Sequence, residues 1–253
     1  AKDIPLNKGK YNFDRIKYVY YRNLDVAFEG FKSGQYTYHE EYMARKWVTG
    51  YKFPAVNSGL VVQQKFKHQN PATTQSFVFN TRKKPFNDIR FRQALSYAYD
   101  FEWQNKALFY NQYQRLQSYF SNSELEAKGV PSAAEMQILK PLLSKLHPIQ
   151  KQGVLNPWKS LVSDASGFNR QNLLIARQLL LKAGYQYKNG KLLGLDGQPI
   201  EFEFLIFQES LQRTLMPFVR NLKRLGIQEN VRQFDLPQYI ERMRLADFDM
   251  ATN

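Results

Sequence analysis

The feature that most restricts the fold of this chain is the order of hydrophobic periods in its last third. Asn169 or Asn172 can cap a helix whose apolar face carries Leu173, Ala176, Leu180 and Ala183, with Gly184 as its C-terminal stop. Lys188-Asn189-Gly190-Lys191 and Asp196-Gly197 are hairpin signals that lead into an alternating strand, Ile200 to Ile206. Leu211, Leu215, Phe218, Leu222 and Leu225 recur at helical spacing and stop at Gly226. Ile227 to Phe234 reads as a strand, Tyr239 to Leu245 as a helix, and Phe248-Asp249-Met250 as the opening of another strand. Strands alternating with helices in this way require a mostly parallel sheet covered by helices, an α/β arrangement of mixed α+β character.

The earlier part of the chain is less regular. Tyr11 to Tyr21 suggests a strand, with Ile16, Tyr18 and Tyr20 alternating. Asp25 can cap a short helix from Val26 to Lys32 that Gly34 ends, and Tyr36 to Glu40 reads as a second strand. Leu60 to Phe66 and Gln75 to Asn80 are further strand candidates, separated by the turn His68-Gln69-Asn70-Pro71. Asn87 or Asp88 can cap a helix bearing Phe91, Leu95 and Ala98, and Asp100 restarts a helix through Trp103 and Leu108. Ser132 and Glu135 form a capping-box pair for a helix with Met136, Leu139, Leu143 and Leu146 on one side, kinked at Pro141. Gln150 to Gly167 reads as a long surface loop.

Composition removes several functional classes. The 253 residues contain no cysteine, which excludes disulfides, thiolate nucleophiles and cysteine-based zinc sites. No window approaches the roughly 18 consecutive apolar residues of a membrane span. The formal charge of +14 is spread along the chain among acids, and Arg82-Lys83-Lys84 is its densest cluster. A nucleic-acid binder would show a basic stripe, arm or module; binding to nucleic acid or an anionic surface is therefore the alternative supported by charge alone. His39, His68 and His147 lack metal-binding spacing, and no Gly-x-Ser-x-Gly elbow is present. Gly184 to Lys191 has the wrong spacing for a phosphate loop, and the pairs Glu40-Glu41 and Glu124-Glu126 read as solvated faces. A hydrolase, the third class, thus lacks a nucleophile, and neither cofactor nor metal is expected.

What stands out instead is an aromatic and amide-rich stretch between regular elements, Tyr110 to Glu124. Tyr110, Tyr113, Arg115, Ser118, Tyr119 and Asn122 combine rings with hydrogen-bonding groups, the usual equipment of a recognition loop on a rigid frame. The same residues also suit a loop folded back on its own core. Glu209 and Ser210, at the carboxyl end of a sheet strand, are further candidates.

The run Phe77-Val78-Phe79-Asn80 through Pro85-Phe86-Asn87-Asp88-Ile89-Arg90-Phe91-Arg92-Gln93-Ala94-Leu95-Ser96-Tyr97-Ala98-Tyr99-Asp100 resembles the hallmark segment of the peptide/nickel class (family 5) of extracellular solute-binding proteins. Phe101-Glu102-Trp103, Ser118-Tyr119-Phe120 and Asn122-Ser123-Glu124-Leu125 resemble the subgroup serving oligopeptide and microcin-C-type importers. Ala183-Gly184-Tyr185, the run Phe218 to Ile227 and Phe248-Asp249-Met250 extend the likeness along the chain. The resemblance implies part of a type II periplasmic-binding-protein clamshell that closes on a peptide. Residues 1–81 would belong to the first lobe, with Phe79, Asn80 and Thr81 on a hinge strand, and residues 82–253 to the second. It further implies a monomeric, non-catalytic periplasmic receptor that delivers peptides to the permease subunits of an ABC transporter. The start, Ala1-Lys2-Asp3-Ile4-Pro5, reads like the middle of a longer protein. The acidic residue that holds the peptide amino terminus in family members is expected beyond Asn253.

Overall fold

The computed structural model describes residues 4–10, 13–157 and 160–252. The chain divides into two compact units, residues 1–65 and 66–253.

The first unit is built on three short helices, α1 (Leu24–Lys32), α2 (Ala44–Thr49) and α3 (Pro54–Asn57). Asn23, not Asp25, caps α1, its side chain accepting from the amides of Asp25 and Val26; Asp25 instead pairs with Lys46 at 2.8 Å. The core is a cluster of rings. Phe28 and Phe31 are buried, and His39 stacks on Phe31 at 5.4 Å between centroids while its Nδ1 lies 2.9 Å from the Tyr36 hydroxyl. The strands expected at Tyr11–Tyr21, Tyr36–Glu40 and Leu60–Phe66 do not form among the described residues; Tyr11 lies outside them. These segments are extended without a ladder partner, and Ile16, Tyr18, Tyr20, Leu60 and Val62 are exposed. Alternation marks a chain able to enter a sheet, but an unpaired strand has no hydrogen-bonded edge to hold it.

The second unit carries the sheet. Its elements in order are β1 (Phe77–Phe79), α4 (Ile89–Ala98), α5 (Phe101–Ala107), α6 (Ala133–Leu139), α7 (Pro148–Leu155), α8 (Arg170–Lys182), β2 (Gln186–Lys188), β3 (Lys191–Leu193), β4 (Glu201–Ile206), α9 (Glu209–Arg224), β5 (Gln228–Gln233), α10 (Leu236–Arg244) and β6 (Met250–Thr252). The four-stranded sheet runs β1-β6-β4-β5. β4 pairs in parallel with both β5 and β6, whereas β1 pairs antiparallel to β6 with Phe77 opposite Thr252. β2 and β3 form the separate hairpin that the Asn-Gly turn predicts.

One face of the sheet packs on α4, α8 and α9, and the main core lies there. Phe86, Phe91, Leu95, Leu180, Phe204 and Leu222 are fully buried in it. Phe77 meets Phe204 edge-on at 5.0 Å, and Phe86 meets Phe202 in the same way at 5.1 Å. Fully burying each such side chain contributes roughly 1.5–3 kcal/mol. The smaller cluster of Leu205, Tyr239, Phe248 and Ala251 lies under α10 on the other face.

Local chemistry explains the helix ends. Asp88 caps α4, Asp100 caps α5, and Ser132 with Glu135 closes a reciprocal capping box on α6. Asn169 stands at the N-cap of α8 in a left-handed backbone at φ +52° and its side chain makes no capping bond; its amide donates to the Tyr97 carbonyl at 2.8 Å. The helix expected to continue past Pro141 stops at Leu139, and a 3-10 turn covers Leu143–Lys145. The expected loop from Gln150 is helical as far as Leu155, because Pro148 begins α7 and His147 caps it. Gly226 closes α9 at φ +71°; a Cβ there would lie 2.7 Å from the Leu192 amide nitrogen, so glycine is required where the hairpin crosses.

Candidate functional site

The aromatic and amide-rich stretch follows α5 as an irregular loop, and its anchors come from the helix before it. Glu102, in the first turn of α5, accepts Arg115 Nε at 2.6 Å and Arg115 Nη2 at 3.0 Å, and also takes the Ser163 amide at 2.9 Å. Burial alone would raise the Glu102 carboxyl, but the Arg115 and Ser163 bonds outweigh it and hold the group at about 2. The Arg115 guanidinium lies over the Phe101 ring at 5.0 Å. Beside it, burial pushes the Tyr99 hydroxyl up to about 12. Asp100 is 2% exposed and takes the Trp103 amide, the Gly167 amide and the Ser163 hydroxyl. The loop and residues 163–167 are thus tied to one helix start.

The nominated residues divide by what they touch. Arg115 is committed to Glu102. The Tyr113 backbone is held at both its amide and its carbonyl by the Asn105 side chain, at 3.2 and 2.8 Å, and its ring meets Phe109. The Asn122 amide donates to the carbonyls of His68 and Asn70, each at 2.9 Å, from a left-handed backbone at φ +68°. Ser118 takes the Ala127 amide on its hydroxyl. Tyr110, also left-handed at φ +54°, is partly exposed, while Tyr119 is 83% exposed with half-exposed Phe120 beside it. Glu209 and Ser210 are exposed in the first turn of α9, apart from this loop, and neither side chain makes a hydrogen bond or ion pair among the described residues.

Sequence reading missed Glu102, Asn105 and Ser163 as the residues that shape the loop. Glu102 was the accessible one, an acid in the first turn of a helix with an arginine in the following loop. Asn80, nominated at the hinge, is 5% exposed and donates to the carbonyls of Ala246 and Phe248 at 2.9 and 2.8 Å. Its neighbour Phe79 stacks on Phe86 at 5.8 Å. Nearby, Asp249 joins Lys83 at 3.0 Å to the Glu203 amide at 3.0 Å.

Two concavities lie away from the loop. One, of about 390 Å³, is bordered by the β2–β3 hairpin, β5 and the end of α9, and Glu229 lines it with Lys191, Glu201 and Lys223. Glu229 is 6% exposed, and neither carboxylate oxygen has a hydrogen-bond partner among the described residues. Burial pushes this carboxyl up to about 7 against the opposing pull of Lys223. The second, of about 500 Å³, lies between the 143–145 turn and α7. Among the described residues no cluster of acids and histidines could hold a metal ion, and no helix is long and apolar enough to cross a membrane.

The helix-covered, mainly parallel sheet is a mixed α/β arrangement consistent with the fold of the family 5 solute-binding proteins. The fold matches the oligopeptide-binding protein AppA of Bacillus subtilis, solved with a nonapeptide, at a TM-score of 0.60 and 17% identity over 90% of this chain and 38% of that one. It also matches an oligopeptide-binding protein of Thermotoga maritima at a TM-score of 0.54 and 15% identity, over 94% of this chain and 38% of that one. The chain belongs to the bacterial extracellular solute-binding proteins, family 5, whose model matches residues 6–253. It is 36% identical over 253 residues to the "Probable peptide-binding protein YejA" of Agrobacterium fabrum, covering 99% of this chain and 41% of that protein. It is 38% identical to YejA of Escherichia coli over 251 residues, again 99% of this chain and 41% of the relative. The "Peptidoglycan-binding protein YepA" of Agrobacterium fabrum is 33% identical over 99% of this chain and 42% of its own length. The chain therefore spans about 40% of the length of these relatives. The proteins of this family and the solved relatives are binding proteins.

Proposed function

We propose that the complete protein is a periplasmic, monomeric and non-catalytic receptor that captures oligopeptides between two lobes and hands them to the permease subunits of an ABC importer. Residues 1–81 contribute to the first lobe, Phe79, Asn80 and Thr81 form a hinge strand, and residues 82–253 belong to the second lobe. The ligand class in this reading includes modified peptides of the microcin C kind; the relative in Agrobacterium fabrum is named a probable peptide-binding protein, which supports the peptide part of it. The observation that carries this reading is the loop after α5. It is fastened from below through Glu102–Arg115, Asn105–Tyr113 and Asn122–His68, while Tyr110, Tyr119 and Phe120 keep exposed ring surface. A surface ordered before it meets its ligand loses little freedom on binding, and exposed rings accept varied side chains. Ser118, Glu209 and Ser210 are further contacts in this reading.

The test is thermal unfolding of the complete protein against a library of short peptides. A peptide at about 100 times its dissociation constant stabilises by about 2.7 kcal/mol, a shift of several degrees. Peptide-dependent shifts that fall away in a Tyr119→Ala variant support the reading. No shift with any plain or modified peptide, together with steeply salt-dependent DNA binding, would replace it with the charge-driven alternative.

A further inference from the structure

Residues 66–76 lead the chain into the second unit as an extended segment that belongs to no strand. The boundary between the two compact units falls at Lys65–Phe66. Just before it, the Gln63 side-chain amide donates to the Trp47 carbonyl at 2.5 Å, and Lys65 lies over the Trp47 ring at 5.6 Å. Residues 63–65 are therefore held by α2.

Just after the boundary, Asn122 takes hold of the chain. Its side-chain nitrogen carries two hydrogens, and they go to the carbonyls of His68 and Asn70, each at 2.9 Å. The Ala72 amide donates to the Ser121 carbonyl at 2.7 Å, and Pro71 between these points has its φ fixed by its ring. Phe66 and Lys67 lie between the two sets of anchors. Phe66 is 72% exposed, and neither residue makes a hydrogen bond, ion pair or ring contact among the described residues.

The far end of the segment is fixed as well. Phe77 to Phe79 pair with β6, Phe79 stacks on Phe86, and Asn80 donates to the carbonyls of Ala246 and Phe248. The hinge strand of the two-lobe reading is thus the immobile end of this strap, and the free dihedrals sit at its other end.

The turn that grips the strap is part of the loop after α5. Ser121 Oγ donates to the Ser118 carbonyl at 3.0 Å, and Ser123 Oγ to the Phe120 carbonyl at 2.7 Å. Asn122 stands between them at φ +68°, a backbone that asparagine tolerates better than most residues. Tyr119 and Phe120, whose rings are exposed, lie in the same turn.

We propose that Asn122 is a positioning residue that pins residues 68–72 to the loop after α5, so that the chain between the two units bends at Phe66–Lys67. A few residues with free φ and ψ are enough for a hinge. A ligand resting on Tyr119 and Phe120 bears directly on the pin. Only this last use rests on the peptide reading; the pin itself does not.

The experiment is hydrogen exchange on the complete protein without ligand, in the parent, Asn122→Asp and Asn122→Gly. Aspartate keeps the size of the side chain but turns its donor into an acceptor, and glycine keeps only the freedom of the backbone. Exchange at residues 68–72 should rise on the order of tenfold in both variants while residues 77–80 keep the parental rate. Spin labels on α1 and α9 should give a broader distance distribution in Asn122→Asp, a change that a merely local loss of packing would not produce. Unchanged exchange at residues 68–72, or equal release of residues 77–80, overturns the inference. Strong protection of Phe66 and Lys67 in the parent overturns it too, because another part of the complete protein would then hold the bend. A peptide that stabilises the parent should bind Asn122→Asp severalfold more weakly, and equal affinity overturns the link to ligand. Because exchange is read without ligand, failure of the pin and failure of the peptide reading are told apart.

Discussion

Replacing Glu229 by glutamine should make the protein more stable, and by an amount set by pH. Glu229 points a carboxyl into a site where it is 6% exposed and both oxygens lack partners among the described residues, and its acidity is displaced from 4.5 to about 7. The folded state therefore holds the proton more tightly than the unfolded chain. Stability from this group is full below pH 4.5, declines as pH rises through the window from 4.5 to about 7, and stays lost above it. At 1.36 kcal/mol per unit of pKa, the total loss is about 3 kcal/mol. Glutamine keeps the shape without the charge, and its own unpaired amide takes back part of the gain. Urea unfolding followed by circular dichroism at pH 5 and pH 8 separates the cases. Glu229→Gln should match the parent to within about 1 kcal/mol at pH 5 and exceed it by about 2–3 kcal/mol at pH 8. A variant less stable than the parent at pH 8, or parallel pH profiles, would refute the argument.

Three further perturbations follow from described contacts. Glu102→Gln breaks the charged anchor of Arg115 and should cost about 1–2 kcal/mol after allowance for partial exposure, with faster amide exchange across residues 108–127 as the specific readout. Because the Glu102 carboxyl is held at about 2, its contribution is present above pH 4.5 and disappears as pH falls through about 2, which an acid titration of the variant against the parent will show. Asn80→Ala removes the donor to two carbonyls and should cost about 2 kcal/mol in urea melts; a change under a few tenths would mean the contacts are incidental. Gly226→Ala forces a side chain into a left-handed backbone against the Leu192 amide and should cost about 1–3 kcal/mol, measured as a lowered Tm.

Legibility tracked the distance over which each interaction acts. The periods of α8, α9 and α10, and the turn at Asn189-Gly190, are local, and the sheet emerged where they require it. Asp88, Asp100 and Ser132 were readable as caps because a cap acts within three residues. The segments Ile16–Tyr20 and Leu60–Phe66 carry strand-like residues, but a strand exists only with a neighbour, and local pattern contains no information about one. α7 was missed because its cap is a histidine and its apolar positions are few. The aromatic loop after α5 was visible as unusual composition. Its anchors were not, since Arg115 meets Glu102 across 13 residues and Asn122 meets His68 across 54. Glu229 was not singled out in the sequence, although it alternates with Ile227 and Val231 along the strand read from Ile227 to Phe234.

The pairing of β1 with β6 has a kinetic consequence. Asn80 and Phe248, which hold that junction, are 168 residues apart, so the first strand of the sheet finds its neighbour only when the last becomes available. Contacts of such separation are slow to form because the loop entropy must be overcome first. α4, α8 and the β2–β3 hairpin can assemble in the meantime, leaving Phe77-Val78-Phe79 as an apolar strand with an open edge. At a synthesis rate of roughly 5–20 residues per second that interval lasts roughly ten to thirty seconds. Until β6 is available, the Phe77–Phe79 strand keeps an unpaired apolar edge.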